Sequence, residues 1–171
     1  MDNGEKYAYL MIKYDMPDII KGIQQDIRED ELFTDPDNPD SYGMVGDTHL
    51  TLVACMPNDV GLDMIKSMVR PIYDYPILLM NVSTFENDRY DVLKCDAVSD
   101  VIMDTNRKIC DVIPTFSEYK EYNPHVTIAY LKKGAGKRHL KEVLLPLVVM
   151  KPSYFMLSSY DEDGRQKTIN F

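Results

Sequence analysis

Apolar and polar positions alternate along residues 6–14: Ala8, Leu10 and Ile12 fall on one side, and Tyr7, Tyr9, Met11 and Lys13 on the other, the period of a strand. The period then changes, and Ile19, Ile20, Ile23 and Ile27 recur at helical spacing across residues 15–29. Residues 30–48 hold no period and carry Asp-Pro and Asn-Pro-Asp elements, which predict a loop. A loop this long in a compact domain is often functional, and it can serve here as a lid or as a plain acidic connector. Residues 49–56 alternate as a strand, residues 57–74 place Val60, Met64, Ile65, Met68 and Val69 on one helical face, and residues 75–85 return as a strand.

A turn at residues 86–88 leads to a strand at 89–98, after which Ser99 caps a helix containing Val101, Ile102, Ile109 and Val112. A strand at 122–132, a helix at 138–147, a strand at 151–159, a polar turn at 161–164 and a final strand at 165–171 complete the chain. The order is repetitive. Each half runs strand, helix, strand opening on histidine, helix, strand, and the stretch from His49 to Phe85 nearly equals that from His125 to Tyr160. The pattern predicts one α+β domain over residues 1–171 made of two pseudo-symmetric lobes.

Composition narrows the class. With 171 residues and 44% hydrophobic content the chain can bury a core of its own. No signal peptide or apolar run of spanning length is visible, so a soluble, cytoplasmic protein with no membrane partner is expected. Cys55, Cys95 and Cys110 are odd in number and lack zinc or redox spacing, which suits reduced thiols. A net charge of −9 and a pI near 4.7 disfavour long DNA or RNA but leave room for a small anionic ligand in a local pocket.

The candidate chemistry lies in the histidines. Of three in the chain, His49 and His125 open matching motifs, HLTL at 49–52 and HVTI at 125–128. On a strand, residues i and i+2 share a face, so His49 with Thr51, and His125 with Thr127, each present an imidazole beside a hydroxyl. Leu50, Leu52, Val126 and Ile128 then face the core. If the two halves pack about a pseudo-twofold axis, two imidazoles and two hydroxyls converge on one groove. One neutral imidazole can take a proton from an attacking hydroxyl while a protonated one supplies the leaving oxygen, and the threonines can hold the phosphoryl oxygens. Two histidines also raise a metal site, but no carboxylate or cysteine occupies a matching strand position, and neither metal nor cofactor is expected. A pair of buried structural histidines is the plain alternative. His139, in the basic run KKGAGKRH, has no such partner and reads as a surface residue. The glycines of that run lack the full phosphate-loop pattern and read as a turn before a helix.

The motif pair resembles that of the 2H phosphoesterase superfamily, and the resemblance extends over nearly the whole chain. It implies a bilobal duplicated fold with two antiparallel sheets forming a central groove and helices outside. It also implies a phosphodiesterase whose catalytic residues are His49, Thr51, His125 and Thr127. Within that superfamily the segment EYNPHVTIAY is similar to phage nucleases that destroy the cyclic oligonucleotide signals of bacterial CBASS immunity. That likeness implies attack by a ribose 2′-hydroxyl on the neighbouring 3′-5′ linkage, in the host cytoplasm if the protein is viral.

Strand alternation adds possible groove residues: Tyr7 and Tyr9 to stack bases, Lys13 to meet a phosphate, and Tyr154, Met156 and Ser158 from the other lobe. Packing within the sheet would explain the tyrosines equally well. Three functions follow. The first is opening of a cyclic oligonucleotide, the second is 2′,3′-cyclic phosphodiesterase action on RNA ends or small cyclic nucleotides, and the third is sequestration of a nucleotide without turnover.

Overall fold

The computed structural model describes residues 6–38, 41–116, 121–144 and 146–171. Of the segments read above, residues 39–40 of the long loop and residue 145 of the expected helix lie outside them.

The alternating segments form the strands β1 (Ala8–Tyr14), β2 (Thr48–Met56), β3 (Ile77–Glu86), β4 (Tyr90–Val98), β5 (His125–Lys132), β7 (Tyr154–Tyr160) and β8 (Gln166–Asn170). A three-residue strand, β6 (Val148–Met150), has no period to betray it. The helically spaced segments form α1 (Asp18–Gln25), α2 (Leu62–Val69) and α3 (Asp100–Val112). Ser99 caps α3, its side chain accepting from the Ile102 N–H. Ile20 and Ile23 of α1, Ile65 and Val69 of α2, and Ile102 and Ile109 of α3 are buried in one core with Leu10, Ile12, Leu50, Leu52, Leu93, Val126 and Ile128. No helix among the described residues is long and apolar enough to cross a membrane.

The strands make one antiparallel sheet of eight, in the order β6-β3-β4-β5-β2-β1-β7-β8. This corrects the expectation of two sheets. Two four-stranded halves exist, but β2 and β5 meet at their inner edges through the pair Leu50 and Val126, and so join them. The two repeats expected from the sequence do not each keep to one half. The last strand of the first repeat, β3, pairs with β4 in the half-sheet of the second motif, while β7, from the second repeat, pairs with β1 beside the first. Tyr154, Met156 and Ser158 therefore flank His49 from its own half-sheet, not from the opposite one.

Among the described residues of 138–147 the expected helix is absent, and only a 3-10 turn, Ala135–His139, forms there. Asp91, buried on β4, accepts the N–H groups of Gly134 at 2.8 Å and Gly136 at 3.1 Å, pinning the turn onto the sheet. A Cβ on Gly136 would lie 2.6 Å from the Thr84 methyl, so this approach requires glycine. Past the turn, Lys141 exchanges backbone hydrogen bonds with Val82 at 2.8 and 3.1 Å, which extends the chain instead of coiling it. His139 is buried, contrary to the surface position read for it, with Nε2 3.5 Å from the Glu31 carboxylate. Burial alone would raise the Glu31 carboxyl, but the Arg28 N–H and the Arg138 guanidinium hydrogen-bond its charged form and hold it below the ordinary range.

The long loop is fastened along the outer half of β5. Phe33 N–H donates to Tyr130 O at 3.0 Å, Tyr130 N–H to Gly43 O at 2.8 Å and Val45 N–H to Ile128 O at 3.1 Å. Phe33, Tyr42, Tyr90 and Tyr130 pack with ring centres 4.9 to 5.7 Å apart. Its described part is thus a fixed flank of the sheet.

Leu50→Ala should lower unfolding free energy by about 2–5 kcal/mol, the usual cost of truncating a fully buried leucine, and this loss falls on the joint between the halves. Gly136→Ala should cost about 1–3 kcal/mol through overpacking against Thr84. Urea unfolding followed by circular dichroism measures both.

Candidate active site

The joint between the half-sheets sets the site. The antiparallel pair Leu50 and Val126 leaves His49 and Thr127 one step to one side of it and Thr51 and His125 one step to the other. Leu50 and Val126 are fully buried on the core face, whereas the four motif residues are half-buried on the other. The two imidazoles thus belong to opposite sides of that pair, each on the same side as the other strand's threonine. They are close enough for the charge of His49 to act on His125.

Each imidazole is held at Nδ1 by the residue two positions before it. His125 Nδ1 lies 2.7 Å from Asn123 O, and His49 Nδ1 lies 3.2 Å from Asp47 Oδ1. A carbonyl can only accept, so His125 carries its proton on Nδ1 and leaves Nε2 bare. The Asp47 carboxyl reaches the same result for His49. Burial would raise it, but the hydrogen bond from Lys13 and the charge of His49 outweigh that and keep it ionised, an acceptor only.

The settings of the two histidines differ. His125 is held below the usual histidine value, chiefly by burial; its hydrogen bond to Asn123 opposes this, and the nearby Lys94 ammonium adds to it. The Phe85 ring stands edge-on to His125 at 4.9 Å and lies under the Lys94 ammonium, 4.2 Å away. Lys94, opposite Thr127, ion-pairs with Asp96 and donates to Ser83 Oγ at 2.7 Å. Lys13, opposite His49, ion-pairs with Asp47. Both lysines are almost fully covered, at 6% exposure for Lys13 and 4% for Lys94, so each needs the carboxylate it has.

The further sequence-derived residues fall at different distances from this centre. Lys13 is adjacent to His49, but its ammonium is engaged by Asp47. Tyr154 pairs with Lys13 one strand further out and is exposed, and Met156 pairs with Met11, itself opposite Thr51. Tyr9 is half-buried, its hydroxyl 3.9 Å from Cys55 Sγ, and burial followed by that thiol raises its pKa. Ser158, opposite Tyr9, is buried and accepts from Gln166 Nε2 at 2.8 Å. The Tyr7 ring packs 5.2 Å from Phe116, whose backbone N–H donates to Cys55 O of β2 at 3.0 Å. Sequence reasoning missed Asp47, Ser83, Phe85, Lys94, Asp96 and Asn123. The charges of Lys94 and Asp96, alternating with Leu93, Cys95 and Ala97, were the available signal. Among the described residues no cluster of three or more His, Cys, Asp or Glu is arranged to hold a metal ion.

No protein-family model matches the chain, and no curated protein does. Solved structures do. TT0787 of Thermus thermophilus superposes with a TM-score of 0.50 over 96% of this chain and 94% of its own, at 14% identity. This chain has the TT0787 fold. A crystal structure of a phosphoesterase gives a TM-score of 0.48 at 17% identity, over 98% of this chain and 96% of that one. E. coli LigT in apo form gives 0.46 at 18% identity, over 97% and 94%. At such identities the likeness to TT0787 is one of architecture, spanning nearly the whole of both chains.

Because the folded value of His125 is depressed, the unfolded state takes up a proton first as pH falls through the ordinary histidine value of 6.5, and stability declines on that side. In NMR titration His125 should show a midpoint below 6.5. Lys94→Met should move that midpoint upward by removing a like charge. An unmoved midpoint would exclude Lys94 as a cause.

Proposed function

We propose that this protein is a metal-independent phosphodiesterase of the two-histidine type, with His49, Thr51, His125 and Thr127 as its catalytic residues, and that it opens cyclic oligonucleotides. The observation that carries the reading is the pairing of β2 with β5 at Leu50 and Val126, beside which both histidines have Nδ1 engaged, so that two Nε2 atoms and two threonine hydroxyls are left for a ligand.

The chemistry follows from those groups. His125, kept neutral, accepts the proton of a ribose 2′-hydroxyl as its oxygen bonds to phosphorus. The bond from phosphorus to the 5′ oxygen breaks, and His49, with a carboxylate behind it, delivers a proton to that oxygen. The threonine hydroxyls donate to the non-bridging oxygens and hold the phosphorus in line. Atoms and charge balance: the ring opens to a 2′,3′-cyclic phosphate and a 5′-hydroxyl, and the proton gained by one imidazole equals that lost by the other. Exposed Tyr154, on the row of His49 and Lys13, offers a ring for a base. The net charge of −9 supports a small ligand held locally over a long polyanion. Such an activity would erase the signals of bacterial CBASS immunity, the role of the phage nucleases that the segment around His125 is similar to.

Incubation with a panel of cyclic di- and trinucleotides in EDTA, with products separated by chromatography, tests this directly. Opened products are expected; ligands that stay intact would refute it. Faster turnover of an oligonucleotide ending in a 2′,3′-cyclic phosphate would shift the substrate to RNA ends. His49→Ala and His125→Ala should each slow turnover by about 10²-fold or more, the usual size of general acid–base catalysis. Loss of affinity alone would mark a sequestering protein.

A further inference from the structure

Lys13 raises a question that the proposed chemistry does not answer. It is buried to 6% exposure on the groove side of β1, directly opposite His49. Its ammonium is not open to a ligand, because the Asp47 carboxylate is divided between two partners, Oδ2 on Lys13 Nζ and Oδ1 3.2 Å from His49 Nδ1. We propose that Asp47 is a positioning residue for His49, fixing the proton of the neutral ring on Nδ1 so that Nε2 is the nitrogen that takes up and gives away a proton toward a ligand, and that Lys13 positions Asp47 in turn.

Three observations support this. An isolated surface aspartate gains little from a lysine, but a covered lysine must have a counter-charge, so Asp47 is tied to one place although its side chain is 58% exposed. From that place its second oxygen reaches His49, and the tautomer of an imidazole is set by the bond its other nitrogen makes. The second half of the chain meets the same requirement differently. Asn123, also two residues before its histidine, uses a backbone carbonyl, which no substitution removes. Asp47 is thus the side chain through which one histidine can be disturbed without the other. The consequence for turnover rests on the phosphodiesterase reading, whereas the tautomer does not.

The test is 15N-histidine NMR of wild type, Asp47→Ala and the double variant Lys13→Met with Asp47→Ala, with signals assigned from His49→Ala and His125→Ala. In the wild type, neutral His49 is expected as the Nδ1–H form. In Asp47→Ala it should shift to mainly Nε2–H, with His125 unchanged. A wild-type His49 signal in Asp47→Ala would overturn the inference. Asp47→Ala also strands the Lys13 charge and should lower the melting temperature. The double variant should recover the melting temperature but not the tautomer, and recovery of both would show that Lys13, not Asp47, acts on His49. On a substrate that is turned over, Asp47→Ala should reduce kcat by about 10- to 100-fold with KM little changed, a smaller loss than for a buried triad aspartate because Asp47 is half exposed. If no compound of the panel is turned over, the phosphodiesterase reading fails while the tautomer result still decides this one.

Discussion

One antiparallel contact, Leu50 against Val126, organises the molecule. It closes two half-sheets into one, and both residues are sealed in the core beneath it. Because strand side chains alternate, burying this pair obliges its neighbours to the other face, and because the pairing is antiparallel each histidine falls on the same side of it as the other strand's threonine. A slip of β2 by one residue would send His49 into the core and both leucines of the first motif to water, leaving His125 without its counterpart. The same hydrophobic constraint that holds the halves together therefore sets the geometry of the polar centre.

Charge is arranged around that centre in pairs. Each half-sheet buries one lysine on the groove side and neutralises it with one aspartate, Lys13 with Asp47 and Lys94 with Asp96. The pairs are not equivalent. Asp47 hydrogen-bonds an imidazole, whereas Asp96, opposite His125, is tied to Lys94 and Ser83 and its charge opposes that of Lys94 on His125 without cancelling it. The two half-sheets thus offer two histidines in unlike electrostatic settings, which suits the proposed reaction, in which one must gain a proton while the other gives one up.

Much of this was legible in the sequence, because it rests on short-range periods. The strands bearing the motifs, the three amphipathic helices and the shared face of each histidine with its threonine follow from spacings of two and of three to four residues. What escaped depends on which strands become neighbours. Lys94 and Asp96 join the site only because β4 lies beside β5, with an irregularity between Leu93 and Lys94 that no single strand reveals. The placement of β7 beside β1 was hidden by the interlacing of the repeats. Leu140, Val143, Leu144 and Leu147 are spaced like a helix face, yet Leu140, Val143 and Leu147 are exposed. There the local period is overridden by the bonds of Lys141 to Val82 and of the preceding turn to Asp91. His139 looked solvated because its partner, Glu31, is far away in sequence.

The exchange of final strands between the repeats also bears on how the chain folds. The half-sheet holding His49 needs β7 beside β1, so the earliest strand waits for nearly the latest. The half-sheet holding His125 draws on β3, adjacent in sequence to β4, and needs only the short β6 from further along. Loop closure over such separations is slow relative to hairpin formation. On a ribosome, then, the second histidine would find its sheet while the first still lacked an edge, and the two-imidazole centre would come into being only as the C-terminal strands were added.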